Sequence, residues 1–155
     1  MTAVRALAIE LDAIGDTRPL WSAWLESARG VLEIDPAELS MDRGDAADAL
    51  DRAAAGNWRT LLERFAADRA PVYLRPAADV SAALRALQAA GARLAVFTDA
   101  PEELARLALS QLGADRRVES LHAGADAEAR ALASLGSGAE VVQTRADLLA
   151  GLPPR

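Results

Sequence analysis

The chain has 155 residues, enough for one domain with a substantial core, and 52% of them are apolar, many of these alanine. A formal net charge of −6 gives no electrostatic reason to expect nucleic acid or an anionic membrane as a partner. There is no cysteine, which excludes disulfides and thiolate–zinc sites, and all 17 basic side chains are arginine.

The stretch Ala3 to Thr17 opens as an apolar run, Val4 to Ile9, and ends among Glu10, Asp12 and Asp16. A short apolar run bounded by acidic residues and glycine reads as a strand buried on both faces, hence a covered parallel sheet. Ligands of such sheets bind beyond the carboxyl ends of the strands, so Glu10 and Asp12 are delivered to that place.

Pro19 is expected to open a helix carrying Leu20, Trp21, Trp24, Leu25, Ala28, Val31 and Leu32 on one face. Ile34–Asp35–Pro36 breaks it, and the polar stretch Ser40 to Asp45 leads into an alanine-rich helix ending near Gly56. Asn57 is the expected N-cap of a third helix with Trp58, Leu61, Leu62 and Phe65 inward, and Arg69 to Arg75 reads as an extended connection. Five of the six large aromatics lie in this region, and their stripe reads as a local core.

Strands and helices then alternate. Helix Pro76–Ala90 stops at Gly91, strand Leu94–Phe97 ends at Thr98 and Asp99, and Pro101 opens a helix that closes before Gly113. Strand Val118–Leu121, helix Asp126–Leu135, strand Glu140–Gln143 and helix Arg145–Leu152 complete the series. The alternation implies an α/β fold, a Rossmann-like parallel sheet flanked by helices. Residues 1–17 and 76–155 make the expected core, and 18–75 an inserted helical subdomain.

The arrangement resembles the haloacid dehalogenase (HAD) superfamily in its helical-cap form, and the resemblance covers nearly the whole chain. Its most persuasive block is LRALQAAGARLAVFTDAPEELARLALSQLGA, residues 84–114. The resemblance implies a magnesium-dependent hydrolase of small phosphorylated metabolites, acting through a phospho-aspartate. In place of the family's Asp-x-Asp-Gly-Thr stands Glu10-Leu11-Asp12-Ala13-Ile14. Asp12 fits the acid/base position, and Glu10 stands at the nucleophile. Its additional methylene displaces the carboxylate, and a misplacement of ~1 Å can cost on the order of a hundredfold in rate.

Thr98 matches the residue that binds the phosphoryl oxygen, and Asp99 follows it. The family's lysine motif aligns with Gly124-Ala125-Asp126-Ala127-Glu128, so glycine stands at the lysine; Arg116, Arg117 and Arg130 are the candidates to supply a cation. The fourth motif aligns with Val142 to Asp147: Gln143 replaces the first metal carboxylate and Asp147 keeps the second. Glu10, Asp12, Gln143 and Asp147 are therefore a weakened or lost magnesium set, since a neutral amide oxygen is a poorer ligand than a carboxylate.

Three departures around one pocket imply a pseudo-phosphatase that acts as a binding or regulatory module, its ligand a small molecule or a protein. The competing expectation is an atypical magnesium-dependent phosphatase with Asp12 as acid/base. Helix starts after Thr98 and Thr144 are candidate anion sites, although the acids around them favour a cation instead. His122, the sole histidine, reads as a structural or surface residue rather than a ligand. The apolar runs are too short to span a membrane and no basic leader precedes an apolar core, so a cytoplasmic protein is expected; the oligomeric state is left open.

Overall fold

The computed structural model describes residues 4–53 and 55–151. Ala3 and Leu152, expected at the start of the first strand region and the end of the last helix, lie outside the described residues.

Strand β1 (Ala6–Glu10) runs into a one-turn helix α1 (Leu11–Ile14). Three helices follow before the alternating part begins: α2 (Arg18–Leu32), α3 (Arg43–Arg52) and α4 (Trp58–Tyr73), with a 3-10 turn at Pro36–Glu38. The remainder is α5 (Ala78–Ala89), β2 (Arg93–Thr98), α6 (Glu102–Gln111), β3 (Ser120–Ala123), α7 (Ala127–Leu135), β4 (Glu140–Val142) and α8 (Arg145–Ala150).

The four strands form one parallel sheet in the order β3-β2-β1-β4. Leu7 pairs with Leu94 and Ile9 with Val96, so larger apolar side chains line one face. That face belongs to a continuous core shared with α1, α2, α4, α5, α6 and α8. On the other face Ala8, Ala95 and Phe97 meet the α7 stripe Ala127, Ala131 and Leu135. The i, i+4 spacing of that stripe and the small alanines opposite let a single helix lie close to the sheet. The result is an α/β protein with a Rossmann-like, four-stranded parallel sheet covered on both faces. Among the described residues, no helix is long and apolar enough to cross a membrane.

The segment 18–75 shares the large core. Trp24, Trp58 and Leu62 are buried with the sheet's leucines, and α4 packs along α6. Trp24 sits between its two neighbours, its ring centroid 5.3 Å from that of Trp21 and 5.9 Å from that of Trp58. The tilted rings fill the space between α2 and α4 as core.

The expected extended connection at Arg69–Arg75 is instead the end of α4, which continues through Pro71 to Tyr73. Leu62, Ala66, Ala70 and Leu74 recur every four residues and all are buried, so packing holds the last turn helical. Proline removes one hydrogen bond there, and the turn closes through Leu74 N–H to Ala70 C=O. The third strand also moves, from the expected Val118–Leu121 to Ser120–Ala123, because its register on β2 joins Ala95 to Ser120 and Thr98 to Ala123.

Candidate functional site

The carboxyl ends of β1, β2 and β3 bring Glu10, Thr98, Asp99 and the Gly124–Ala127 turn to one rim of the sheet. Asp12 follows two residues after Glu10, held in α1. Leu11, Ala13 and Ile14 are buried, which explains why the chain coils at once after the strand.

Asp12 is fully engaged. Its Oδ1 accepts from the Thr17 N–H at 2.9 Å and the Thr17 hydroxyl at 2.6 Å. Its Oδ2 lies 3.1 Å from Nη2 of Arg43 and 3.4 Å from Nε of Arg18. Asp16 accepts from the Arg18 N–H, whereas the Thr17 hydroxyl is drawn to Asp12 and makes no cap bond to α2.

Arg43 is the residue that sequence reasoning missed. It opens α3 inside the helical segment, and its side chain is 1% exposed. Nε donates to Asp99 Oδ1 at 2.8 Å, and its backbone N–H to Asp99 Oδ2 at 3.0 Å. Nη1 donates to Thr17 Oγ1 at 2.6 Å, and Nη2 to Thr98 Oγ1 at 3.3 Å as well as to Asp12. The guanidinium thus sits among Asp12, Thr17, Thr98 and Asp99, with its planar fork matched on several sides. Such a charge is tolerated away from water only when paired and hydrogen-bonded, and here it is.

One local signal bore on Arg43, though it named no partner. A cation in the first turn of a helix opposes the positive end of the helix dipole, so it needs a carboxylate partner. Gly44 beside it serves a close approach: a Cβ there would lie 3.1 Å from Asp42 Oδ1, 3.4 Å from the Ala125 backbone N and 3.5 Å from the Asp99 carbonyl. Asp42 caps the helix by accepting from the Asp45 N–H.

Two of the three arginines expected to supply a cation are occupied elsewhere. Arg117 donates to Gln88, and Arg130 to the carbonyls of Ala123 and Ala125. Thr98 is fully buried, and its hydroxyl accepts from Arg43 and from the Ala100 N–H. Thr144 accepts from the Asp147 N–H and so caps its own short helix, α8. Gln143 donates to Glu128 at 2.6 Å, and Asp147 is exposed. Glu102 and Glu103 occupy the first turn of α6, where they answer the helix's positive end and leave little attraction for an anion.

Beside the Arg43 cluster lies an open cleft of about 400 Å3. Its acids are Glu10, Asp42, Asp45, Asp99, Asp126 and Glu128, and no basic side chain lines it. Glu10 responds to this setting. Burial, then the neighbouring Asp12 charge, pushes its carboxyl up to about 7, although Arg43 pulls the other way. Asp126 holds a left-handed backbone, φ 57°, at the start of α7, and its side chain makes no cap bond. Glycine or asparagine is the usual occupant of that conformation.

Magnesium, implied by the resemblance, requires several oxygens in octahedral array, carboxylates among them. Asp12 already holds a cation, Gln143 is turned to Glu128, and Asp147 stands apart in α8. Among the described residues, no three His, Asp or Glu side chains gather as a metal site. The residues as arranged do not fit the ion. His122 lies under α7, its Nε2 3.0 Å from Ser120 Oγ; burial, helped by Arg130, holds the imidazole below its ordinary value.

The fold and site together define an α/β protein with an acidic cleft at the carboxyl rim of a parallel sheet. No family model matches the chain, and no curated protein matches it.

Proposed function

We propose that the chain is a HAD-like protein, with residues 18–75 as its cap, that serves as a binding or regulatory module for a cationic ligand and does not hydrolyse phosphomonoesters. One observation carries this reading: Arg43 occupies the space between Asp12, Thr98 and Asp99, where a phosphatase of this type would receive phosphate. The cap thereby inserts its own guanidinium into the site. The guanidinium held by the cluster supports a preference for positive charge.

The neighbouring cleft extends the same preference. Six acids without a basic residue repel a phosphate dianion and attract an amine or guanidinium. With a carboxyl near 7, Glu10 is largely neutral in mildly acid solution and gains a full charge above it. Binding of a cation there therefore strengthens as the pH rises through 7.

The test has two arms. Release of phosphate from p-nitrophenyl phosphate with magnesium is measured for the wild type and Asp12→Asn, with no difference expected above background. Agmatine and spermidine are then titrated calorimetrically into the wild type and into a Glu10→Gln, Glu128→Gln double variant; saturable binding should weaken in the variant. Magnesium-dependent turnover abolished by Asp12→Asn would return the protein to the phosphatases. Failure of both amines to bind would remove the cationic ligand.

A further inference from the structure

A second depression lies along the outer edge of the sheet. It has a volume of about 620 Å3 and is bounded by β3, its preceding turn, α6 and one residue of α4. None of its lining residues belongs to the acidic cleft. We propose that this groove receives an extended, basic segment of another protein, which joins the sheet as a fifth strand beside β3.

The backbone provides the first argument. β3 is the terminal strand of the sheet. The Glu119 N–H points inward to the Leu94 carbonyl, so the alternation of a strand turns the N–H groups of Ser120 and His122 outward. Outward groups of this kind form the template used when a peptide adds to a sheet edge. The strand is only four residues long and is preceded by Glu119, which discourages indiscriminate pairing.

The side chains provide the second. Leu107, Val118 and Leu121 line the groove and pack against the main core, giving it an apolar floor. Around that floor stand five acids and one arginine, Arg106. Glu102, Glu103 and Glu119 pair with Arg106, Arg59 and Arg93, whereas Glu63 and Asp115 have no ion pair among the described residues. Glu103 also keeps Oε2 buried without a hydrogen-bond partner, an unfavourable state for a carboxylate oxygen.

An added strand would turn alternate side chains toward α6. Apolar ones would meet Leu107 and Leu121, and the long stems of arginine would reach past them to the unpaired acids. Charge selects the occupant. A second copy of this chain would oppose the same acids to one another across a two-fold axis, which disfavours self-association. A nucleic acid would be repelled likewise.

The probe is a fluorescent acetyl-Arg-Thr-Val-Thr-Arg-Thr-amide peptide, called the Arg-Val peptide because its Arg, Val and Arg side chains share one face; the control carries Glu in place of Arg. Binding is followed by anisotropy, and by amide shifts in the isotope-labelled full chain. Saturable binding of the Arg-Val peptide alone is expected, with shifts at Ser120–Ala123 and along α6. Ser120→Pro removes an outward N–H, and Leu107→Arg blocks and repels the strand. Each variant should bind about tenfold more weakly, which corresponds to roughly 1.4 kcal/mol.

Thermal melts check that both variants remain folded; if Ser120→Pro does not, Leu107→Arg alone decides. Absence of saturable binding, equal binding of both peptides, or indifference to the folded groove variants would overturn the proposal. So would shifts confined to Asp42, Asp45 and Glu128 in the cleft, or a homodimer in sedimentation that Leu107→Arg dissolves. Neither peptide arm depends on whether the cleft binds amines, so the two proposals fail separately.

Discussion

Glu10 and Asp12 stand two residues apart at the tip of one strand, yet they occupy opposite electrostatic settings. Asp12 is surrounded by donors: Thr17 on one oxygen, Arg43 and Arg18 on the other. Glu10 faces an acid-lined cleft, and burial and the charge of Asp12 make its own ionisation unfavourable. A carboxylate's role is thus set by what the rest of the chain brings to it. Here α3 brings a guanidinium to one acid and leaves the other beside more acids.

The most disruptive way to break this contrast is Arg43→Ala. It would leave Asp99 without its cation and Asp12 with Arg18 alone, and should destabilise the fold by about 3 kcal/mol, read from urea denaturation. Combining it with Asp99→Ala should cost less than the two single changes added together, because the acid no longer lacks a partner.

Thr17→Val comes next. The hydroxyl donates to Asp12 and accepts from Arg43, so its loss leaves the buried guanidinium and the part-buried carboxylate each one partner short. A loss of about 1–3 kcal/mol is expected in the same denaturation measurement. A smaller change, and in the opposite direction, should follow Asp126→Gly on the cleft side. Relief of the left-handed backbone should raise stability by about 1 kcal/mol, visible as a higher melting temperature.

Glu10→Gln alters pH dependence more than it alters the fold. The folded carboxyl titrates near 7 and its ordinary value is 4.5, so the folded state binds more protons between those limits. This group's contribution is fully present below 4.5 and is lost as pH rises through 7. The glutamine variant should therefore show a flatter profile of melting temperature from pH 4.5 to 7. Above 7 it should be more stable than the wild type; a profile parallel to the wild type's would contradict the burial of Glu10.

Much of the sheet was legible because its strands are short apolar runs bounded by glycine and acid. Val4–Ile9 and Leu94–Phe97 marked the two central strands within a residue or two of β1 and β2. The edge strand was less legible. Ser120 and His122 alternate with apolar residues, so the run seemed to end before the pairing does. Arg69 to Arg75 read as extended, and the four-residue burial rhythm through Leu74 carried α4 on to Tyr73 instead.

The site divides in the same manner. Local pattern placed Glu10, Thr98 and Asp99 at strand ends, and Asp12 just beyond. It had no means of bringing Arg43 across 31 positions to Asp12 or 56 to Asp99.

By itself, the sequence determined the α/β alternation, the helical segment between the first strand and the rest, and the acidic tip of β1. Periodicity and strand-end chemistry are local, so they can be read along the chain. Only the tertiary structure decided which acids would be paired. The packing of α3 against the turns after β2 and β3 brings Arg43 to Asp12 and Asp99, while Glu10 is left in the acidic cleft. A charge's partner is a matter of distance in space, and spacing along the chain does not supply it.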